Sequence, residues 1–229
     1  MSADVLVPGA VRACVFDAYG TLFDTSSVVL GHAQLLGVRA APLATLWREK
    51  QLAYTWLRAA QGRHADFQRV TADALSHALE ALDLPGEIHG GLMRAYDLLL
   101  PFADAATTLA RLRARGQRLA ILSNGTPQML EALLGHSGLT SALDFVWSVE
   151  EVGAFKPAPE VYRLATERLQ LPAEEIAFVS ANGWDAHAAA AFGLQSIWCR
   201  RAAQTPERLP GSPRAVVGSL QAVADLLAP

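Results

Sequence analysis

Four short stretches of this chain carry side chains able to do covalent chemistry. Asp17 opens Asp17-Ala18-Tyr19-Gly20-Thr21, at the end of an apolar run. A carboxylate held there can serve as a nucleophile or as a metal ligand. Gly20 lets the chain turn sharply and expose nearby backbone N–H groups. The second stretch, Ser123-Asn124-Gly125-Thr126, sets a hydroxyl beside an amide. The third, Gly153-Ala154-Phe155-Lys156-Pro157, supplies an ammonium, and the fourth, Ser180-Ala181-Asn182-Gly183-Trp184-Asp185, a second acid. Each stretch alone is a weak signal; an acid, a hydroxyl–amide pair, a lysine and a second acid in this order form a strong one. Tyr19 is equally telling, because it stands two residues after Asp17, where a second carboxylate would complete an acid–base pair. An unperturbed phenol is too weak an acid to replace it.

Apolar runs that read as strands position these stretches. They cover 14–17, 118–123, 145–148, 176–180 and 195–199, with a weaker run near 214–217. Helix-period segments follow at 127–134, 159–169, 185–192 and 219–227. The alternation predicts an α/β fold, a doubly wound parallel sheet with helices on both faces and a Rossmann-like core. Ligands of such sheets bind beyond the C-terminal strand ends, so the four loops should converge in space. Between 24 and 100 no strand is visible, and 43–60, 66–82 and 87–99 carry apolar residues at helical spacing. Pro42 suits a first helical turn, Asp66 a helix cap, and Pro85-Gly86 a break between helices. The organisation expected is a core of 1–23 and 101–229 with a helical cap inserted at 24–100. Such a cap would sit over Asp17, exclude water and add substrate contacts.

Composition narrows the function. The chain has 229 residues, 52% hydrophobic, and a formal net charge of -3 without blocks of like charge. Nucleic-acid binding and adhesion to an anionic membrane are therefore not expected. No stretch approaches the ~18 apolar residues of a membrane span. Met1–Ala10 lacks the basic start and long apolar stretch of a secretory leader, which points to a cytoplasmic protein. Cys14 and Cys199 lie in apolar runs and read as buried free thiols. His32, His64, His77, His89, His136 and His187 show no metal-ligand spacing.

The four stretches resemble the motifs of the haloacid dehalogenase superfamily, and within it the L-2-haloacid dehalogenases. Phe16-Asp17-Ala18-Tyr19-Gly20-Thr21-Leu22-Phe23-Asp24 is similar to the dehalogenase form of the first motif. Leu122-Ser123-Asn124-Gly125 fits the second, Lys156-Pro157 the third, and Ser180-x-Asn182-x-Trp184-Asp185 the fourth. In the insertion, Leu46-Trp47-Arg48-Glu49-Lys50-Gln51-Leu52 and Tyr54-Thr55-Trp56-Leu57-Arg58 resemble the dehalogenase lid. The likeness spans nearly the whole chain, and the lid match is its most specific part.

The resemblance implies hydrolysis of L-2-haloalkanoic acids to D-2-hydroxyalkanoic acids and halide, through an ester on Asp17. It implies no metal and no cofactor. The residues agree, since a halide leaves without a proton and Ser180 stands where phosphatase relatives place a metal-supporting Asp. Asp185 is the candidate for activating water, helped by Asn182 and Lys156; Ser180 and Tyr162 would orient Lys156 and the acids. Arg48 and Asn124 would capture halide. Ser123, Thr21 and the backbone at Ala18 and Tyr19 would hold the substrate carboxylate or Asp17, and Tyr19, Leu52, Phe67 and Trp184 would wall an apolar pocket. Family likeness also implies a homodimer.

Plainer roles stand beside these. Ser123 and Asn124 could form only a local turn or cap the next helix. Asp185 could be a helix N-cap, with or without a chemical role. Trp47 and Trp56 read as packing residues. Competing functions are a phosphatase of the same superfamily, opposed by Tyr19 and Ser180, and a non-enzymatic binding descendant, opposed by the complete set Asp17, Arg48, Ser123, Lys156, Asn182 and Asp185.

Overall fold

The computed structural model describes residue 6 and residues 8–228. Of Met1–Ala10, expected not to be a secretory leader, residues 1–5 and 7 lie outside the described residues. Strands β1 (Ala13–Phe16), β2 (Arg118–Ser123), β3 (Phe145–Ser148), β4 (Ile176–Ser180), β5 (Gln195–Cys199) and β6 (Ala215–Val217) form one parallel sheet in the order β3-β2-β1-β4-β5-β6. This is the doubly wound arrangement, with the strand order reversing beside β1. All four residues of β1 are buried. A strand covered on both faces takes a continuous apolar run instead of alternation, which is why so short a run is readable. Phe16 pairs with Ile121 of β2 and with Val179 of β4, so Asp17, Ser123 and Ser180 reach the same sheet edge.

The segment between β1 and β2 begins with α1 (Ser27–Gly31), α2 (Ala33–Leu36), α3 (Ala40–Ala60), α4 (Phe67–Ala81) and α5 (His89–Tyr96). α3 buries Leu43, Trp47, Gln51 and Thr55, one residue per turn, against the buried face of α4. The Trp47 indole donates to the Thr71 carbonyl at 2.9 Å, joining the two helices. Asp66 caps α4 as expected, accepting from the Arg69 N–H at 2.7 Å. The chain leaves and re-enters the sheet at one point, where Asp24 N–H donates to Leu100 O and Phe102 N–H to Leu22 O.

The sheet is flanked by α6 (Ala105–Ala114), α7 (Pro127–Ser137), α8 (Pro159–Leu169), α9 (Gly183–Phe192) and α10 (Leu220–Leu226). α6 was not foreseen: its buried face, Ala105, Thr108, Leu109 and Leu112, mixes small and polar residues and makes a faint stripe. The segment expected as one helix over 87–99 is a 3-10 turn, Gly86–Ile88, followed by α5, which stops at Tyr96. Cys14 and Cys199 are buried free thiols, and burial pushes them up to about 12 and about 11. Among the described residues no helix is long and apolar enough to cross a membrane.

Candidate active site

Asp17 is the first residue past β1 and is 6% exposed. Lys156 Nζ donates to its Oδ1 at 3.1 Å. Its Oδ2 accepts from Thr21 Oγ1 at 2.9 Å and Asn182 Nδ2 at 2.8 Å, with Ser180 Oγ at 3.5 Å. Three loops, those after β1, β3 and β4, therefore grip one carboxylate. The turn that permits this needs Gly20, whose φ is +86°; a side chain at that φ would be strained.

Lys156 is 1% exposed and also donates to Asp185 Oδ2 at 3.0 Å. Burial works against its charge, yet the carboxylates of Asp17 and Asp185 outweigh burial and raise the ammonium above its ordinary value. Asp185 is fully buried, and Tyr162 donates to its Oδ1 at 2.6 Å. Burial and the charge of Asp17 push Asp185 up, while Lys156 and Tyr162 hold it back. Burial and the neighbouring Asp185 carry Tyr162 well above the usual phenol range. Asp17 and Asp185 thus face a shared ammonium, and among the described residues no three His, Cys, Asp or Glu side chains are placed to hold a metal ion.

Asp185 is not the N-cap. α9 begins two residues earlier, with Asn182 at the cap position, and the Asp185 carboxylate turns inward to Lys156 and Tyr162. Nor do Ser123 and Asn124 cap α7, because Thr126 does so by accepting from Met129 N–H. Ser123 Oγ accepts from Gly125 N–H at 3.1 Å, the local turn. Asn124 Oδ1 accepts from Lys156 N–H at 3.0 Å, which ties the second loop to the third. Ala18 is buried and its carbonyl accepts the N–H groups of Thr21, Leu22 and Phe23.

The cap adds Arg48 from α3. One guanidinium nitrogen reaches Asn182 Oδ1 at 3.3 Å and the Tyr19 carbonyl at 3.5 Å, and the other donates to Gln51 Oε1 at 2.7 Å. Tyr19 is 2% exposed, its ring against Phe67 (5.4 Å) and Tyr96 (5.5 Å) and its hydroxyl sealed without a partner. Burial, with Tyr96 and Asp97, raises it well above the usual phenol range, so it is an even poorer proton donor than a free phenol.

The expected single apolar pocket divides in two. Tyr19 and Phe67 form one cluster under the cap, whereas Trp184 lines a separate groove of about 1000 Å³ with Trp56, Phe155 and Phe192. That groove touches Lys156 but not Asp17. Trp56 and Trp184 meet edge to face at 5.4 Å across the cap–core boundary. Leu52 is half-buried on α3 and takes no part in the bonded cluster. His187, on α9, bonds the Gly211 carbonyl through Nδ1 at 2.7 Å.

Sequence reasoning missed Gln51, Tyr96 and the reason for Gly125. Gln51 is buried and orients Arg48 while donating to Thr71 at 2.7 Å and to Tyr96 at 3.1 Å. Its signal was available, a polar residue interrupting the buried stripe Leu43, Trp47, Thr55. A Cβ on Gly125 would lie 2.8 Å from the Tyr19 ring and hydroxyl, so only glycine leaves Tyr19 its place.

The haloacid dehalogenase-like hydrolase family model matches residues 11–193. The (S)-2-haloacid dehalogenase 1 of Pseudomonas sp. (strain CBS-3) is 42% identical over 219 residues, covering 95% of this chain and 96% of that protein. A solved structure of a dehalogenase with an intermediate complex superposes with a TM-score of 0.94 at 39% identity, covering 96% of this chain and 98% of the other. The L-2-haloacid dehalogenase of Xanthobacter autotrophicus, solved with chloropropionic acid covalently bound, gives a TM-score of 0.88 at 37% identity over 95% of this chain and 98% of the other. Likeness of this extent, in sequence and fold together, means that the chain belongs to the haloacid dehalogenase-like hydrolases and, within them, to the L-2-haloacid dehalogenases.

Proposed function

We propose that this protein hydrolyses L-2-haloalkanoic acids to D-2-hydroxyalkanoic acids and halide, through an aspartyl ester and without a metal ion. The observation that carries the reading is Asp17 gripped by Lys156, Thr21 and Asn182, with a sealed phenol where an acid would be needed to protonate an alcohol. The chloropropionic acid covalently bound in the Xanthobacter autotrophicus relative supports a covalent intermediate here.

In the first step a carboxylate oxygen of Asp17 attacks C2 from the side opposite the halogen. Oδ1 carries one donor and Oδ2 carries more, so Oδ1 has the freer lone pairs. The new bond joins Asp17 to C2, and the carbon–halogen pair leaves with the halide, inverting C2. Arg48 and Asn124 receive the halide; a guanidinium is permanently charged and weakly hydrated, which suits a large anion. The N–H groups of Ala18 and Tyr19 meet no acceptor among the described residues and, with Ser123, would hold the substrate carboxylate.

In the second step water attacks Cγ of Asp17 and gives its proton to Asp185. The bond from Cγ to the oxygen carried by C2 breaks, that oxygen takes the proton held by Asp185, and the Asp17 carboxyl gives its remaining proton to solvent, which regenerates the carboxylate. Two easier steps replace one hard one. Burial makes Asp185 more basic than an ordinary carboxylate, which suits a base working near neutral pH. Lys156 offsets one of the two carboxylate charges at rest and occupies the place between the acids where a cation would otherwise sit.

The reading includes a cap of residues 24–100 hinged where Asp24 and Leu100 are bonded, a cytoplasmic location and a homodimer. Exposed apolar residues on the cap, Leu35, Val38 and Leu57, support self-association. The test is halide release from each enantiomer of 2-chloropropionate with chelator present. Release from the L form alone is expected; equal release from both, or abolition by chelator, overturns the reading.

A further inference from the structure

One ionisable pair joins cap to core and has no part in the reaction above. His64 lies in the turn between α3 and α4, and its Nε2 is 2.9 Å from Glu150 Oε2. Glu150 rises from the 3-10 turn Val149–Glu151 after β3, where Ser148 Oγ accepts its N–H. The second Glu150 oxygen, Oε1, is sealed from solvent with no donor. His64 also packs on Phe155, the ring centroids 4.9 Å apart. Phe155 is 2% exposed, meets Phe67 of the cap at 6.2 Å and directly precedes Lys156. The cap turn, Glu150 and the segment bearing the ammonium therefore pack as one unit.

We propose that His64 is a positioning residue: bonded to Glu150, it latches the cap turn over Phe155 and keeps Lys156 aligned. The inference rests on the reading of the Asp17 cluster as a capped active site. Oε2 is the Glu150 oxygen that has a partner, so the His64 contact is what fixes this carboxylate. The surrounding charges are committed elsewhere. Lys156 holds Asp17 and Asp185, Arg58 and Arg69 pair with Asp73, Arg168 pairs with Glu151, and Asp66 caps α4. Arg63, next in sequence, is exposed.

The test compares wild type with His64→Gln, His64→Arg and Glu150→Gln. Amide exchange of residues 61–66 is measured in the free enzyme, with KM and kcat for L-2-chloropropionate. His64→Gln and Glu150→Gln should lose protection in this turn and raise KM about two- to fivefold, the range for a partly exposed pair, with kcat little changed, whereas His64→Arg should keep wild-type protection and KM. A His64→Gln enzyme that matches wild type, or a His64→Arg enzyme that behaves as His64→Gln does, overturns the proposal. Exchange that follows the expected pattern while no form releases halide sinks the functional reading and leaves the latch standing. Halide release with exchange indifferent to every substitution does the reverse.

Discussion

Replacing Lys156 with Met removes the ammonium and keeps most of the stem, so it isolates charge from packing. Nζ lies 3.1 Å from Asp17 and 3.0 Å from Asp185, in a space closed to solvent. Without it two carboxylates face each other with no cation. Removing one partner of a buried pair costs about 3–5 kcal/mol. At about 2–4 °C per kcal/mol for a chain of this size, the unfolding midpoint at pH 8 should fall by roughly 6–20 °C. The sign of the pH dependence follows from Asp185. Burial and Asp17 already raise it, and Lys156 opposes them; losing Lys156 raises it further. A carboxyl raised in the folded state binds protons more readily there than in the unfolded chain, so stability falls as pH climbs from the unfolded value through the folded one. The variant should therefore lie closest to wild type near pH 5 and furthest from it near pH 8. In wild type the raised ammonium contributes fully at neutral pH, and that contribution is lost only as pH climbs through its raised value. Thermal unfolding at the two pH values, alongside halide release, is the assay. An equal loss of stability at both pH values, or wild-type halide release, would refute the reasoning.

Asp17→Asn should abolish halide release, and wild type in single turnover in oxygen-18 water should carry label in Asp17 before it appears in later product; label only in product would defeat the ester. Tyr162→Phe removes a buried 2.6 Å donor from the Asp185 anion, a bond worth about 1.5–3 kcal/mol. It should lower kcat by about ten- to a hundredfold and move the acid limb of the pH–rate profile upward, since the lost hydrogen bond was holding Asp185 down. Gly125→Ala places a Cβ 2.8 Å from Tyr19; such overpacking costs about 1–3 kcal/mol, and both the unfolding midpoint and KM should report the displaced ring.

The core site was readable because strand ends are local events. Asp17, Ser123 and Ser180 each close a short apolar run, and a parallel sheet brings such ends to one edge whatever lies between them. Lys156 and Asp185 were readable as types, and family likeness alone joined them. That Asp185 turns away from capping toward the lysine depends on α9 starting two residues early, at Gly183. Arg48 was reachable only through family likeness. Its approach to Asn182 is set by how α3 lies over the sheet, which no spacing within the helix encodes. The same holds for Trp184, whose type suits a substrate wall but whose neighbours place it in an outer groove. α6 escaped because its buried face interleaves Ala105 and Thr108 with Leu109 and Leu112, which leaves only a short, broken apolar stripe.

The charge count of the inner cluster explains why one lysine can serve both halves of the proposed reaction. At rest Lys156 faces two carboxylates, and its ammonium is shared between them. Forming the ester neutralises Asp17, so one negative charge leaves the cluster as the halide gains one beside Arg48. The ammonium then has Asp185 as its remaining anionic partner, while still within reach of the former Oδ1. As water adds, the oxyanion falls on Oδ2, where Thr21 and Asn182 already donate, and as the ester breaks the charge passes to the departing Oδ1, where Lys156 already stands. Preorganised charge of this kind stabilises the transition state without reorganisation. Arginine at position 156 would keep the charge but bring a planar fork too large for the space between two oxygens about 3 Å from one nitrogen, which is why a compact ammonium suits this site.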